Sequence, residues 1–279
     1  MTNSVHTNAS AAIALQNLTR TNERLGDVQS RISTGLKVQG AKDNAAIWAI
    51  AQQQRAEVGA LGAVKQSLDR ATSIADVALS AGESVSDLLN QLKEKVVAAK
   101  DTSLTTQSRE LLNADFQALL KAIASGIDNA TFDGGNILNG SLSGGINFLA
   151  NADASSFVTL SAKNLTLGGG IIDLTTASDS LLTITAADQA LTRLDASISK
   201  LNAALGEIGA QAKQIDAHKT FVGKLMDTLE SGIGNLVDAD LAKESARLQS
   251  LQVQQQLGAQ ALSIANQAPQ IILSLFRGG

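Results

Sequence analysis

The sequence has no cysteine, no tyrosine, one proline and one tryptophan, and aromatic residues make up only 3% of it. Without cysteine the chain forms no disulfide and no thiolate metal site. His6 and His218 are its two imidazoles, whereas a metal site or a catalytic nucleophile needs several donors that converge. We therefore predict no catalytic residue, no metal ligand and no cofactor site, and expect that the protein is not an enzyme.

Charge and long apolar runs are also scarce. The 26 acidic residues outnumber the 22 basic ones, and the net charge of −4 argues against a nucleic-acid-binding surface. No run approaches the roughly 18 apolar residues that a transmembrane helix needs, so we expect no membrane insertion. The first 30 residues lack the continuous apolar core of a signal peptide. Taken alone, these features suggest a cytosolic protein, without excluding export by a route that uses no cleavable signal.

From Asp240 to the end, the sequence carries a narrow apolar line at helical spacing. Its members are four and three residues apart in alternation: Leu257, Ala261, Ile264, Ala268, Ile271 and Leu275. This is the spacing of helices that pair with other helices. No residue between Leu248 and Leu275 is charged, which suggests surroundings of protein on more than one side. Pro269 lies in this segment and is expected to kink the helix.

The first 35 residues carry a second narrow apolar line at helical spacing, with a predicted N-cap at Asn8 or Ser10. The apolar line again steps by three and four: Ala11, Ala14, Leu18, Thr21, Leu25, Val28 and Ile32. We predict that the two terminal lines pair with each other. A narrow two-helix contact buries too little to offset the entropy of ordering both helices, so we expect the pair to be loose until identical copies pack around it. The sequence therefore points to a polymer.

Between the terminal segments we predict two long helices, a shorter one and a small β region. Gly35 and Gly40 interrupt the first helix, and Asp43 or Asn44 caps a second helix that runs to about Lys100. The remaining predictions are a third helix over about 107–129, a few hairpins over 132–182 with a tight turn at Asn139-Gly140, and a helix of some forty residues from Asp188 that ends at Gly232 and Gly234. Trp48 is either a core residue or a wedge between subunits.

These elements predict a mainly α protein, an elongated rod of long antiparallel helices with a small β-hairpin insert at about 132–185 and terminal coiled-coil helices. We expect two domains. Residues 1–40 with 235–279 form the terminal coiled-coil domain, and residues 41–234 form a helical rod domain that includes the insert.

Two segments of this sequence closely resemble bacterial flagellin. They are ISTGLKV-GAKDNAA--AIA, after the first helix, and LQVQQQLGAQALSIANQAPQIILSLFR, at the end. The likeness extends over roughly residues 1–100 and 190–279, and the short insert is similar to that of compact alphaproteobacterial flagellins.

The resemblance implies a structural subunit that polymerises into the flagellar filament after export through the flagellar type III apparatus, and hence a secreted, extracellular protein. It implies as partners identical or similar flagellin subunits, an export chaperone, and cap and hook-junction proteins. It also implies that the terminal lines form the inner tube of the filament. The polymer-contact residues would then be Leu18, Leu25, Val28, Ile32, Leu257, Ile264, Ile271 and Leu275. The alternatives are a hook–filament junction protein and a secreted helical adhesin or translocator.

Overall fold

The structure is a computed structural model that describes residues 7–277, with side chains described as far as residue 267. Its elements in chain order are α1 (Ala9–Thr34), α2 (Ala45–Ala99), α3 (Thr106–Asp128), β1 (Ile146–Leu149), β2 (Phe157–Leu160), α4 (Ile184–Val237) and α5 (Leu241–Arg277). The predicted mainly α class with a small β insert is therefore confirmed. Within the described residues no helix is long and apolar enough to cross a membrane.

Side chains at the helix starts decide between the predicted caps. Asn8 Oδ1 accepts the Ala11 backbone N–H at 3.0 Å, so Asn8 caps α1. Asn44 Oδ1 accepts the Ile47 N–H at 3.1 Å and caps α2. Gly35 ends α1 with φ +73°, a left-handed conformation that glycine adopts without steric cost.

The helix α4 is longer than predicted. It begins at Ile184 and runs through Gly232 and Gly234 to Val237, so the prediction that these glycines end the helix is wrong. A glycine within a helix costs about 1 kcal/mol relative to alanine. Ile233 and Val237 are buried in this last stretch, and their burial offsets that cost.

The β region holds one hairpin rather than the few that were predicted, in the part of the chain that the structure describes. β1 and β2 are antiparallel, with Ile146 opposite Leu160 and Leu149 opposite Phe157. The Asn139-Gly140 turn does not connect two strands, which corrects that prediction. Ile137 and Leu138 are buried in irregular backbone, and their carbonyls accept the N–H groups of residues 163 and 165 at 2.7 Å.

The chain divides into two compact units, Met1–Ala56 with Leu229–Gly279 and Glu57–Thr228. In the second unit α2 and α4 run antiparallel, and ion pairs along them fix the register: Lys219–Asp69 at 2.6 Å, Lys93–Asp195 at 2.7 Å and Lys100–Asp188 at 2.7 Å. The core of this unit includes fully buried aliphatic and aromatic side chains of α2, α3 and α4: Leu68, Leu89, Leu92, Phe116, Leu120, Leu201 and Ile208.

Candidate self-assembly surface

Helices α1 and α5 pack against each other in antiparallel orientation, as the sequence predicts. Polar contacts along the pair fix its register. The Asn8 Nδ2 donates to the Ala265 carbonyl at 2.7 Å, and the Gln255 Nε2 donates to Asn22 Oδ1 at 2.8 Å. Further along the pair, Arg31 Nη1 lies 3.6 Å from Glu244 Oε1.

The predicted apolar line of α1 is the face that packs on α5. Val28 is buried, and every other member of the line is partly buried, while most residues between them are exposed. We call this line the α1 seam: Ala11, Ala14, Leu18, Thr21, Leu25, Val28 and Ile32. The spacing of three and four therefore predicted both the face of α1 and its role in pairing.

The described members of the predicted α5 line do not pack on α1. Leu257 is 59% exposed and Ile264 69% exposed, so the prediction that these residues pair with the α1 seam is wrong. The face toward α1 is instead lined by Leu248, Leu251, Gln255, Gly258, Leu262 and Ala265, which also step by three and four. Apolar spacing alone does not predict this second series, because Gln255 and Gly258 interrupt its apolar character. At about 100° per residue the two series are centred roughly 130° apart around the helix.

An uncharged apolar strip therefore remains open on α5. We call Val253, Leu257 and Ile264 the outer stripe, since each is more than half exposed. The surrounding polarity comes from glutamine, serine and asparagine, because no residue from Leu248 to Phe276 is charged. Exposed apolar residues on a helix segment that carries no charge of its own are typical of protein–protein contact surfaces. Ile271 and Leu275, which extend this line in sequence, lie outside the residues whose side chains are described.

The segments that join α1 to α2 and α4 to α5 are fastened to each other by backbone hydrogen bonds. The Lys37 N–H donates to the Val237 carbonyl at 2.7 Å, and the Ala239 N–H donates to the Gly35 carbonyl at 2.8 Å. Asp240 Oδ1 then accepts the Lys243 N–H at 3.1 Å and caps α5. Sequence reasoning did not find these contacts because backbone groups carry no residue-specific signal.

His218 lies where α4 meets the β hairpin. His218 Nε2 lies 2.7 Å from the Ala150 carbonyl just after β1, which ties α4 to the hairpin. His6 lies outside the described residues. Among the described residues no group of three His, Cys, Asp or Glu side chains is arranged to hold a metal ion. Trp48 is partly buried near the start of α2.

Terminal helices that pair with each other and expose an uncharged apolar stripe define a class of subunit built to pack against further protein. Comparison with known proteins gives this class a family. Residues 5–143 match the bacterial flagellin N-terminal helical region, and residues 184–276 match the bacterial flagellin C-terminal helical region.

Full-length relatives agree with these matches. Flagellin FljJ of Caulobacter vibrioides is 57% identical over 278 residues and 99% of each chain, and a flagellin of Brucella melitensis is 41% identical over 286 aligned positions and 99% of each chain. A Vibrio parahaemolyticus structure described as a candidate flagellar hook-associated protein has the same fold, with a TM-score of 0.54 and 14% identity over 70% of this chain and 100% of that one.

The chain belongs to the bacterial flagellin family. It is a structural subunit of the flagellar filament, a polymer of flagellin copies.

Proposed function

We propose that the outer stripe of α5 is the surface through which neighbouring copies pack in the filament, while the α1 seam holds α5 in position. The exposure of Val253, Leu257 and Ile264 supports this assignment, because burying three large aliphatic side chains stabilises an interface by about 1.5–3 kcal/mol each. In this proposal the α1 residues contribute to assembly indirectly, by holding α5 in place: Leu18, Leu25, Val28 and Ile32. Ile271 and Leu275 continue the contact line by their spacing.

In this proposal residues 1–40 with 235–279 form the inner tube of the filament, and residues 41–234 form the helical rod domain. The paired α1 and α5 helices support the first part, because both belong to one compact unit. The terminal pair gains its full stability only when further copies cover the outer stripe.

The chain reaches its place of assembly by export through the flagellar type III apparatus, and it acts outside the cell as a secreted structural protein without enzymatic activity. Family membership supports this route. Its further partners are an export chaperone, for which the uncharged Leu248–Phe276 segment is the docking site, and the cap and hook-junction proteins.

A single aspartate on the outer stripe tests the assignment. Leu257→Asp or Ile264→Asp places an unpaired carboxylate in a contact that excludes water, at a cost of several kcal/mol. We expect no filaments from either variant in seeded growth followed by sedimentation and electron microscopy, with helical circular dichroism retained. Gln252→Asp adds the same charge to an exposed position on a different side of α5 and should still polymerise.

Two outcomes would overturn the proposal. Normal filaments from both stripe variants would remove the outer stripe from the polymer contact. A purified wild-type chain that caps seeds without extending them would indicate a hook–filament junction protein instead.

A further inference from the structure

A polar groove of about 440 Å³ runs between α1 and α5, on the flank of α5 next to the outer stripe. Its lining side chains include Arg24, Asp27, Arg31, Arg247, Ser250 and Gln254. We call it the arginine groove. Three guanidinium groups from two helices thus face one concave surface, although Arg247 is far in sequence from Arg24 and Arg31.

The carboxylates present do not satisfy these guanidinium groups. Arg31 and Arg247 share one oxygen of Glu244, at 3.6 and 3.8 Å, distances longer than a hydrogen bond. The other oxygen of Glu244 is buried and accepts no hydrogen bond. Arg24 forms no ion pair with any described residue, including Asp27 one turn away. Arg24 and Arg247 therefore have no carboxylate acceptor within hydrogen-bond distance among the described residues.

The distribution of charge along the chain indicates where an acceptor would come from. The unit that contains the groove has nine Lys and Arg against seven Asp and Glu, whereas the Glu57–Thr228 unit has thirteen against nineteen. Surplus carboxylates thus belong to the Glu57–Thr228 unit, so charge complementarity favours that unit of another copy as the source of the acceptor.

The groove also adjoins the surface already assigned to polymer contact. Ser250 and Gln254 line it, and Val253 of the outer stripe lies between them in sequence. On the helix, the positions of Arg247, Ser250 and Gln254 are next to those of Val253 and Leu257, at about 100° per residue. A neighbouring copy that covers the outer stripe would therefore also approach the groove.

We propose that the arginine groove receives a carboxylate side chain from the Glu57–Thr228 unit of a neighbouring copy, a site that rests on the proposed polymer contact. A guanidinium fork binds a carboxylate through two parallel N–H···O bonds, and such charge-assisted bonds fix orientation as well as adding affinity. The site sets the register between copies, while the outer stripe supplies apolar burial.

Removing one guanidinium tests the site. We expect Arg24→Gln and Arg247→Gln each to raise the critical concentration for seeded growth about tenfold, the loss of one charge-assisted hydrogen bond. The salt dependence of this concentration should also weaken. Arg55→Gln removes an exposed charge from the same unit, away from the groove, and should change it less than about twofold.

Cross-linking identifies the acceptor. Filaments grown from isotope-labelled and unlabelled Arg24→Lys copies are treated with a carbodiimide, which joins an amine to a carboxylate in direct contact. A link from the introduced lysine to an Asp or Glu of the Glu57–Thr228 unit in a different copy is the expected result. Links confined to Asp27 of the same copy, or growth of the groove variants that matches Arg55→Gln, would overturn the site. A failure of the wild-type chain to grow would instead count against the proposed function.

Discussion

Gly258 of α5 lies directly against Leu18 of α1: a methyl group at Gly258 would be 3.3 Å from Leu18 Cδ1 and 3.9 Å from Leu18 Cα. A backbone approach this close leaves little room for a side chain. A side chain larger than a methyl group at Gly258 would therefore have to displace Leu18.

Enlarging Gly258 should separate the two helices. We expect Gly258→Val to destabilise the α1–α5 pair by about 1–3 kcal/mol through overpacking, and to reduce filament growth in proportion. Hydrogen exchange of α1 amides and seeded polymerisation measure the two effects. Gly26→Val is the matched control, because Gly26 is also helical and has open space around its Cα. Equal losses from both variants would mean that the close approach has no energetic role.

A second close approach lies in the Glu57–Thr228 unit, where a Cβ on Gly82 would overlap Leu205 Cδ2 and lie 3.3 Å from Leu205 Cγ. We expect Gly82→Ala to lower the free energy of unfolding by about 1–3 kcal/mol despite its better helix propensity. Leu205→Ala in the same chain should recover part of this loss. Gly209→Ala, with open space, should gain up to about 1 kcal/mol. Denaturant unfolding of these three variants and of Leu205→Ala alone checks the coupling between Gly82 and Leu205, which is absent if the two single losses simply add.

Two ion pairs of the Glu57–Thr228 unit differ in burial and should therefore differ in how much they contribute to stability. The Asp179 side chain is fully buried, its Oδ2 accepts the Thr175 N–H at 2.8 Å, and its Oδ1 meets the Arg193 guanidinium as a charge partner without an aligned hydrogen bond. Arg193→Met strands this carboxylate and should cost about 3–5 kcal/mol. Lys93→Met breaks a half-exposed pair and should cost about 0–1 kcal/mol. Similar costs in chemical denaturation would contradict the difference in burial.

Two exposed carboxylates should respond differently to loss of a neighbouring hydroxyl. The Ser103 backbone N–H chiefly lowers the pKa of Asp101, with further lowering from the Ser103 hydroxyl and Arg109. At Asp153 the Ser155 hydroxyl is the larger cause of the lowered pKa. NMR titration should therefore find a larger rise in the Asp153 pKa after Ser155→Ala than in the Asp101 pKa after Ser103→Ala. The reverse order would show that the Ser103 backbone N–H is not the main cause of the lowered Asp101 pKa, or that the Ser155 hydroxyl is not the main cause of the lowered Asp153 pKa.

The sign of the linked stability follows from the lowered pKa values. A folded pKa below the unfolded one stabilises the ionised form, so its contribution is present above the unfolded pKa and is lost as the pH falls through the folded pKa. Each serine variant raises the folded pKa toward the unfolded pKa. It should therefore narrow the acidic pH range over which this contribution to stability is lost. Because both carboxylates are exposed, the change in stability should be small and weakened by salt.

Spacing predicted the α1 seam and the long helices because burial on one face of a helix requires a repeat of three and four residues. The inner face of α5 could not be predicted in the same way, because Gln255 is held by a hydrogen bond to Asn22 and Gly258 by a close backbone approach, neither of which registers as hydrophobicity. The continuation of α4 through Gly232 and Gly234 depended on the burial of Ile233, which local propensity does not contain.

The arginine groove could not be predicted from the sequence, for a different reason. Arg24 and Arg247 are ordinary exposed residues of two amphipathic helices until the antiparallel register of α1 and α5 is known. The hairpin was found through the β-branched run that contains Phe157–Leu160, whereas the Asn139-Gly140 signal marks a turn within irregular backbone.

The amide and the glycine on the inner face of α5 also bear on how the protein responds to force. Separating α1 from α5 uncovers modest apolar area around Gln255 and Gly258, whereas opening the Glu57–Thr228 unit uncovers a continuous set of leucines and Phe116. A subunit pulled by its two termini should therefore part first along its terminal helices. The Glu57–Thr228 unit would stay folded at the force that separates α1 from α5.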